Sequence, residues 1–185
     1  MADRDKAPSK PRRSGRAKAI EQVATSYFEA VAARDPDAMA AHWHPDGVGD
    51  LVPIGILRGP GAVRSFFSEM FDSHSRRPLR RAEDGGRHPG AAVQWRLRGT
   101  FEGGAFQGIE PTGRTIELRG CDCLEVDGDG KLTRNTAYYD GAAFARQVGM
   151  LPAQDGGADR AVRAGFNAVT RLRSAVTQRT RGGSS

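Results

Sequence analysis

Residues 116–132 read IELRGCDCLEVDGDGKL. Side chains on a β-strand alternate between the two faces of the sheet, so counting by twos assigns Ile116, Leu118, Asp122, Leu124 and Val126 to one face. Asp127, Gly128, Asp129 and Gly130 then form a reversal, and KLTRNTAYYD (131–140) supplies a returning strand. Upstream, AVQWRLRGTF (92–101) alternates as well, with Val93, Trp95, Leu97 and Phe101 on one face and Gln94, Arg96 and Arg98 on the other. Pro111 and Gly113 in EPTGR turn this strand into the next. The second half of the chain is therefore an antiparallel meander. One acidic side chain, Asp122, stands in its otherwise apolar row. A carboxylate on a buried face has to be paired, protonated or used.

Before the meander the period lengthens. Ile20, Val23, Ala24, Tyr27, Phe28 and Val31 recur at three- and four-residue steps and predict an amphipathic helix that stops near ARDPD (33–37). Pro36 can open a second, short helix carrying Met39 and Trp43. HPDGVGDLVPIGILRGPG (44–61) is turn-rich with short extended pieces, and GAVRSFFSEMFDSH (61–74) predicts a third helix with Val63, Phe66, Phe67, Met70 and Phe71 on one side. Residues 74–90 are polar and read mainly as loop with room for a short strand; His74 and His88 there are expected to face solvent. GAAFARQVGML (141–151) closes the domain as a short helix ended by Gly149 and Pro152. Helices gathered on one face of an antiparallel sheet define an α+β domain. Three segments result: a disordered basic tail at 1–17, the α+β domain at 18–152, and a basic amphipathic helix and tail at 153–185. In the last of these Val162, Phe166, Val169 and Val176 line one side and arginines the other.

The bulk properties narrow the function classes. The 185 residues can bury a real core, and 38% apolar with 27% charged residues is a globular composition. No apolar run reaches the ~18 residues a membrane span needs, and the basic N-terminus is followed by no apolar signal segment. Of the net +6, residues 1–20 and 157–185 carry +5 each, which leaves −4 for the middle. The basic ends are expected to be solubilising rather than a nucleic-acid footprint. Cys121 and Cys123, two apart on one strand, are poorly placed for a mutual disulfide, and no third cysteine completes a metal knuckle. A reducing, cytoplasmic setting is expected. His42 and His44 flank Trp43 without a third ligand at a suitable spacing, so no metal and no cofactor are expected.

The pieces YFEAVAARDPDAMAAHWHPDGV, RGPGAVRSFF, GIEPTGRTIELRG, DGDGKLTRNTAYYD and FARQVGMLP, in this order and spacing, resemble the SnoaL-like polyketide cyclase and ester cyclase branch of the nuclear transport factor 2-like superfamily. The similarity covers residues 18–152. It implies a cone: a strongly curved antiparallel sheet wrapping helices on one face around a deep apolar pocket, often in a homodimer. The expected lining is Trp43, Phe66, Phe67, Met70, Trp95 and Phe106, and the expected ligand a hydrophobic small molecule.

Ketosteroid isomerases of the superfamily place a tyrosine on the first helix, an aspartate base after the second, and a protonated aspartate on a later strand. Tyr27, Asp50 (give or take one position) and Asp122 match those residue types. Moving a proton beside a carbonyl needs a base in reach and donors on the oxygen that becomes an enolate. The resemblance thus implies Asp50 as base, with Tyr27 and protonated Asp122 holding the oxygen. The polyketide cyclases of the branch use one aspartate as acid/base for aldol ring closure. Each residue also has a plain structural role open to it: a core tyrosine at 27, a turn aspartate at 50, an Asp122–Arg119 pair. Asp140 can cap the helix that follows it or join the acid/base work. Three departures from relatives stand out: Ala137 where epoxide hydrolases of this fold carry a catalytic aspartate, Phe101 where many SnoaL-like chains carry histidine, and Thr136 in place of tryptophan. The expectation is a cofactor-free cyclase- or isomerase-type enzyme acting on a polyketide-like or steroid-like carbonyl compound. A non-catalytic binding module of the same fold is the rival.

Overall fold

The computed structural model describes residues 15–75, 80–82 and 90–182. Most of the expected N-terminal tail, and His88, lie outside them. Residues 15–17 belong to the first helix instead. α1 runs Gly15–Ala33 and buries Ile20, Ala24, Tyr27, Phe28, Ala30 and Val31.

Asp35 then caps α2 (Pro36–Ala41) by accepting from the Ala38 N–H at 2.9 Å, with Pro36 opening the helix. Trp43 is not on this helix. It begins β1 (Trp43–Leu51), which turns back through β2 (Gly55–Arg58) into α3 (Gly59–Ser73). After the short β3 (Arg80–Ala82) come β4 (Ala91–Phe101), β5 (Arg114–Val126) and β6 (Leu132–Tyr139), then α4 (Gly141–Val148) and α5 (Gly157–Gly182).

The six strands form one sheet in the order β2-β1-β6-β5-β4-β3. The expected sheet is antiparallel; the observed one is mixed and open, because β1 pairs with β6 in parallel while every other neighbour is antiparallel. The chain leaves β1 through β2, α3 and three further strands before β6 returns beside it, and this long crossover is what a parallel pair requires. The β5 face read from the sequence holds: Ile116, Leu118, Asp122, Leu124 and Val126 are all buried while Glu117, Arg119 and Glu125 are exposed. α1 packs on that face over β4 and β5, and α3 packs against β1 and β2 of the same sheet.

Where β5 has no strand beyond it, the Gln147 side chain substitutes for one. Its Oε1 accepts from the Glu117 N–H at 2.6 Å and its Nε2 donates to the Glu117 carbonyl at 2.9 Å. This ties α4 to the open edge and satisfies groups that would otherwise invite foreign pairing. Between β4 and β5, Gln107 and Gly108 both have positive φ and join Phe106 to Ile109 in a two-residue reversal. Phe106 is thereby folded back over the core.

Candidate functional site

A cavity of about 90 Å³ lies between the sheet and the helices, several times the room one water needs. Phe66, Phe67 and Met70 of α3, Trp95 of β4, Phe106 of the hairpin and Phe144 of α4 form its apolar wall. Five of the six expected lining residues are therefore in place. Trp43 is the exception. It is buried beneath Tyr27, ring centroids 6.2 Å apart, in the layer behind the cavity, because it starts β1 instead of ending α2.

Asp122 sits in the wall at 7% exposure. Trp95 Nε1 donates to Oδ1 at 2.8 Å and Asn135 Nδ2 donates to Oδ2 at 2.7 Å. Those are its partners, not Arg119, which points to the exposed face of the same strand. Burial drives its pKa up, and the Asn135 and Trp95 donors pull it partly back, to about 6. Gly120 makes the Trp95 contact possible. The two residues face each other across β4 and β5, and a Cβ at Gly120 would lie 2.2 Å from Trp95 Cζ2. The indole can lie across the strand only because nothing projects there.

Tyr27 also lines the cavity, and its hydroxyl is buried with no hydrogen-bond partner. The Trp43 indole N–H lies near enough to favour the phenolate, yet neither group completes a bond of normal geometry. Burial first, and then the Asp122 charge, hold the Tyr27 proton far more tightly than usual. Tyr27 is thus fixed as a donor. The third unpartnered atom here is Asn135 Oδ1. Tyr139, on the rim, is pushed up to about 12 by burial.

Asp50 does not join them. On β1 it alternates with Leu51, and it is Leu51 that lines the cavity, beside Ala137 of β6. Asp50 lies opposite Thr136 and the exposed Ile56, on the other side of the sheet. The positions on either side of Asp50 are Gly49 and Leu51, and among the described residues no second carboxylate lines the cavity with Asp122. Asp140 is exposed and accepts from the Ala143 N–H at 2.9 Å as the N-cap of α4. Ala137 lies directly across from Asp122, so a methyl group occupies the place of the epoxide-hydrolase aspartate.

His74 corrects the expectation of a solvent-facing loop histidine. It is 7% exposed and lines the cavity, stacked on Phe101 at 5.1 Å. The signal was present: Val63, Phe67, Met70 and His74 continue one helical stripe by a single further step. His42 and His44 serve locally. His42 bridges Ala38 O and Ser26 Oγ, and His44 Nδ1 accepts from the Asp46 N–H. Among the described residues no group of three or more His, Cys, Asp or Glu could hold a metal.

A model of the SnoaL-like domain matches residues 24–135. The chain belongs to the SnoaL-like domain family. Among solved structures this SnoaL-like protein is similar to a candidate polyketide cyclase of Xanthomonas campestris pv. campestris, at 25% identity and TM-score 0.62, over 72% of this chain and 99% of that one. A protein with a ketosteroid isomerase-like fold from Catenulispora acidiphila DSM 44928, in complex with trimethylamine, aligns at 14% identity and TM-score 0.57, over 69% and 96%. TerC co-crystallised with polyporic acid aligns at 16% identity and TM-score 0.57, over 70% and 98%. No curated protein matches the sequence. The expected fold is therefore shown, with helices on one side of a mixed sheet. None of the described helices is long and apolar enough to cross a membrane.

Proposed function

We propose that this SnoaL-like domain is a small cofactor-free acid/base enzyme of the cyclase type, working on a hydrophobic carbonyl compound through an enolate. One observation carries the proposal. Asp122, a buried carboxylate with a pKa of about 6, stands in the wall of an apolar cavity beside the unpartnered hydroxyl of Tyr27. Near pH 7 such a group is mostly ionised, yet close enough to neutrality to take and return a proton, which is where a general base works best.

The roles differ from those implied by the isomerases. Two N–H donors aimed at Asp122 favour its anion, so Asp122 is the base rather than an oxygen-holding acid. It removes the proton beside the carbonyl and returns it to the product. Tyr27, whose proton is held tightly, donates to the oxygen as charge develops there. Asp50 has no part, and a single acid/base aspartate is the cyclase pattern. The free thiols of Cys121 and Cys123 fit a reducing cytoplasm, and the family resemblance favours a homodimer.

The test is deuterium exchange at the α-carbon of a hydrophobic ketone such as 1-tetralone, followed by NMR. Exchange above the buffer rate, lost by a factor of about 10²–10⁴ in Asp122→Asn, is the expected result. A second account is favoured by the same hydrogen bonds, since Trp95 and Asn135 already occupy both Asp122 oxygens. If the ketone binds and no exchange occurs, the domain is a binding module and Asp122 an element of its wall.

A further inference from the structure

We infer that His74 is the hydrogen-bond acceptor by which the cavity selects ligands carrying a hydroxyl group on an aromatic or similarly flat ring. The inference rests on the cavity being the ligand site, and it goes beyond the roles given to Asp122 and Tyr27.

The backbone of His74 leaves α3 in an extended conformation, which turns the ring inward. The ring stacks on Phe101 and meets Phe106 edge-on at 5.8 Å, so its orientation is set by packing. Its Nδ1 lies 2.6 Å from Ser73 Oγ and 3.1 Å from the Met70 carbonyl, and Ser73 Oγ lies 2.9 Å from the same carbonyl. A carbonyl only accepts. The Ser73 O–H therefore donates to Met70, and Nδ1 carries the ring proton toward Ser73 Oγ and Met70 O. A bare Nδ1 would set its lone pair against that carbonyl. The neutral ring with Nδ1–H leaves the Nε2 lone pair without a partner among the described residues. Arg34 of α1 reinforces the neutral form. Its Nη2 donates to the Phe71 carbonyl and, at 2.9 Å, to that of His74; burial first, opposed by the Met70 carbonyl and aided by the Arg34 charge, keeps the imidazole below its ordinary pKa.

The cavity thus offers a lone pair at His74 and carboxylate oxygens at Asp122, between aromatic walls. A ligand with O–H groups on a flat apolar body meets both demands; a bare hydrocarbon or a ligand with only carbonyl oxygens leaves Nε2 unsatisfied at a cost.

The probes are 2-naphthol and naphthalene, titrated against the wild type, His74→Phe and His74→Gln with tryptophan fluorescence as readout. The wild type is expected to prefer 2-naphthol. His74→Phe should weaken 2-naphthol by roughly fivefold to tenfold, the worth of one hydrogen bond, and leave naphthalene unchanged. His74→Gln, which restores an acceptor, should recover part of the loss. Equal weakening of both probes, or of neither, would overturn the assignment. Should the Phe variant fail to fold, ¹⁵N spectra of the wild-type imidazole decide. The pyridine-type Nε2 resonance must move on adding 2-naphthol and stay put with naphthalene; an unmoved resonance rejects the role. Because binding is read without turnover, this result stands or falls separately from α-carbon exchange at Asp122.

Discussion

Asp122 holds its proton up to about pH 6 in the fold but only to 3.8 in the free side chain. A carboxyl whose pKa is raised by folding contributes most to stability below its unfolded value. That contribution is lost as pH climbs through the folded value. The window therefore runs from about pH 4 to pH 6, and the full swing is roughly 3 kcal/mol. Asn cannot ionise, and it has to turn one N–H toward Trp95 or Asn135, so Asp122→Asn carries a penalty that does not vary with pH. In urea titrations from pH 4 to 7, the wild type should lose its advantage over Asp122→Asn across that window; a constant difference would mean that Asp122 titrates normally. At Tyr27 stability and activity should separate. Tyr27→Phe removes a buried hydroxyl that has no partner, so it should leave stability unchanged or raise it by up to about 1 kcal/mol. Ketone exchange should nevertheless slow by roughly a hundredfold. A loss of stability with normal exchange would make the hydroxyl structural.

Between elements, the β4–β5 pair holds the site together through one glycine. A methyl at Gly120 meets the Trp95 indole, so Gly120→Ala must push the ring off its seat and away from Asp122. The expected cost is about 1–3 kcal/mol from overpacking. With one donor gone, the Asp122 pKa should climb above 6, read by carboxyl NMR. Asp140→Ala should cost about 1 kcal/mol through the lost cap without changing exchange, since its carboxylate faces solvent. The same strands show what a sequence can reveal. Period-two alternation is clean along β4 and β5, where nearly every inward residue is apolar, so Asp122 was visible as the one departure. In β1 the inward positions include Gly47 and Gly49, which carry no side chain to mark a face. Asp50 and Leu51 could then be exchanged without disturbing any pattern. The parallel β1–β6 pairing is equally silent in sequence, because residues 52–131 separate the two strands and no local turn records their register. His74 was obscured by composition: a polar residue followed by SRR reads as loop, although it completes the stripe of α3.

For the whole molecule the outstanding element is α5. Through Ser174 every one of its residues except Asp159 is exposed, and its polar ties are local, from Arg160 to Asp155 and from Arg163 to Asp155 and Asp159. Val162, Phe166, Val169 and Leu172 nevertheless form one apolar arc, with Phe166 71% and Leu172 67% exposed. The domain core, in contrast, closes without it: α4 ends at Val148, already buried against Ile116 and Leu118. We propose that the cooperative unit ends near residue 152. A chain stopping at Gly156 should then unfold at the same urea midpoint as the full-length protein and bind 2-naphthol equally well. A midpoint that falls on truncation would show that the arc is covered in solution. If the fall grows with protein concentration in the full-length reference, the cover is a second copy of the chain, since only association makes stability depend on concentration. An unchanged midpoint at every concentration places α5 outside the folded unit and leaves the SnoaL-like domain complete without it.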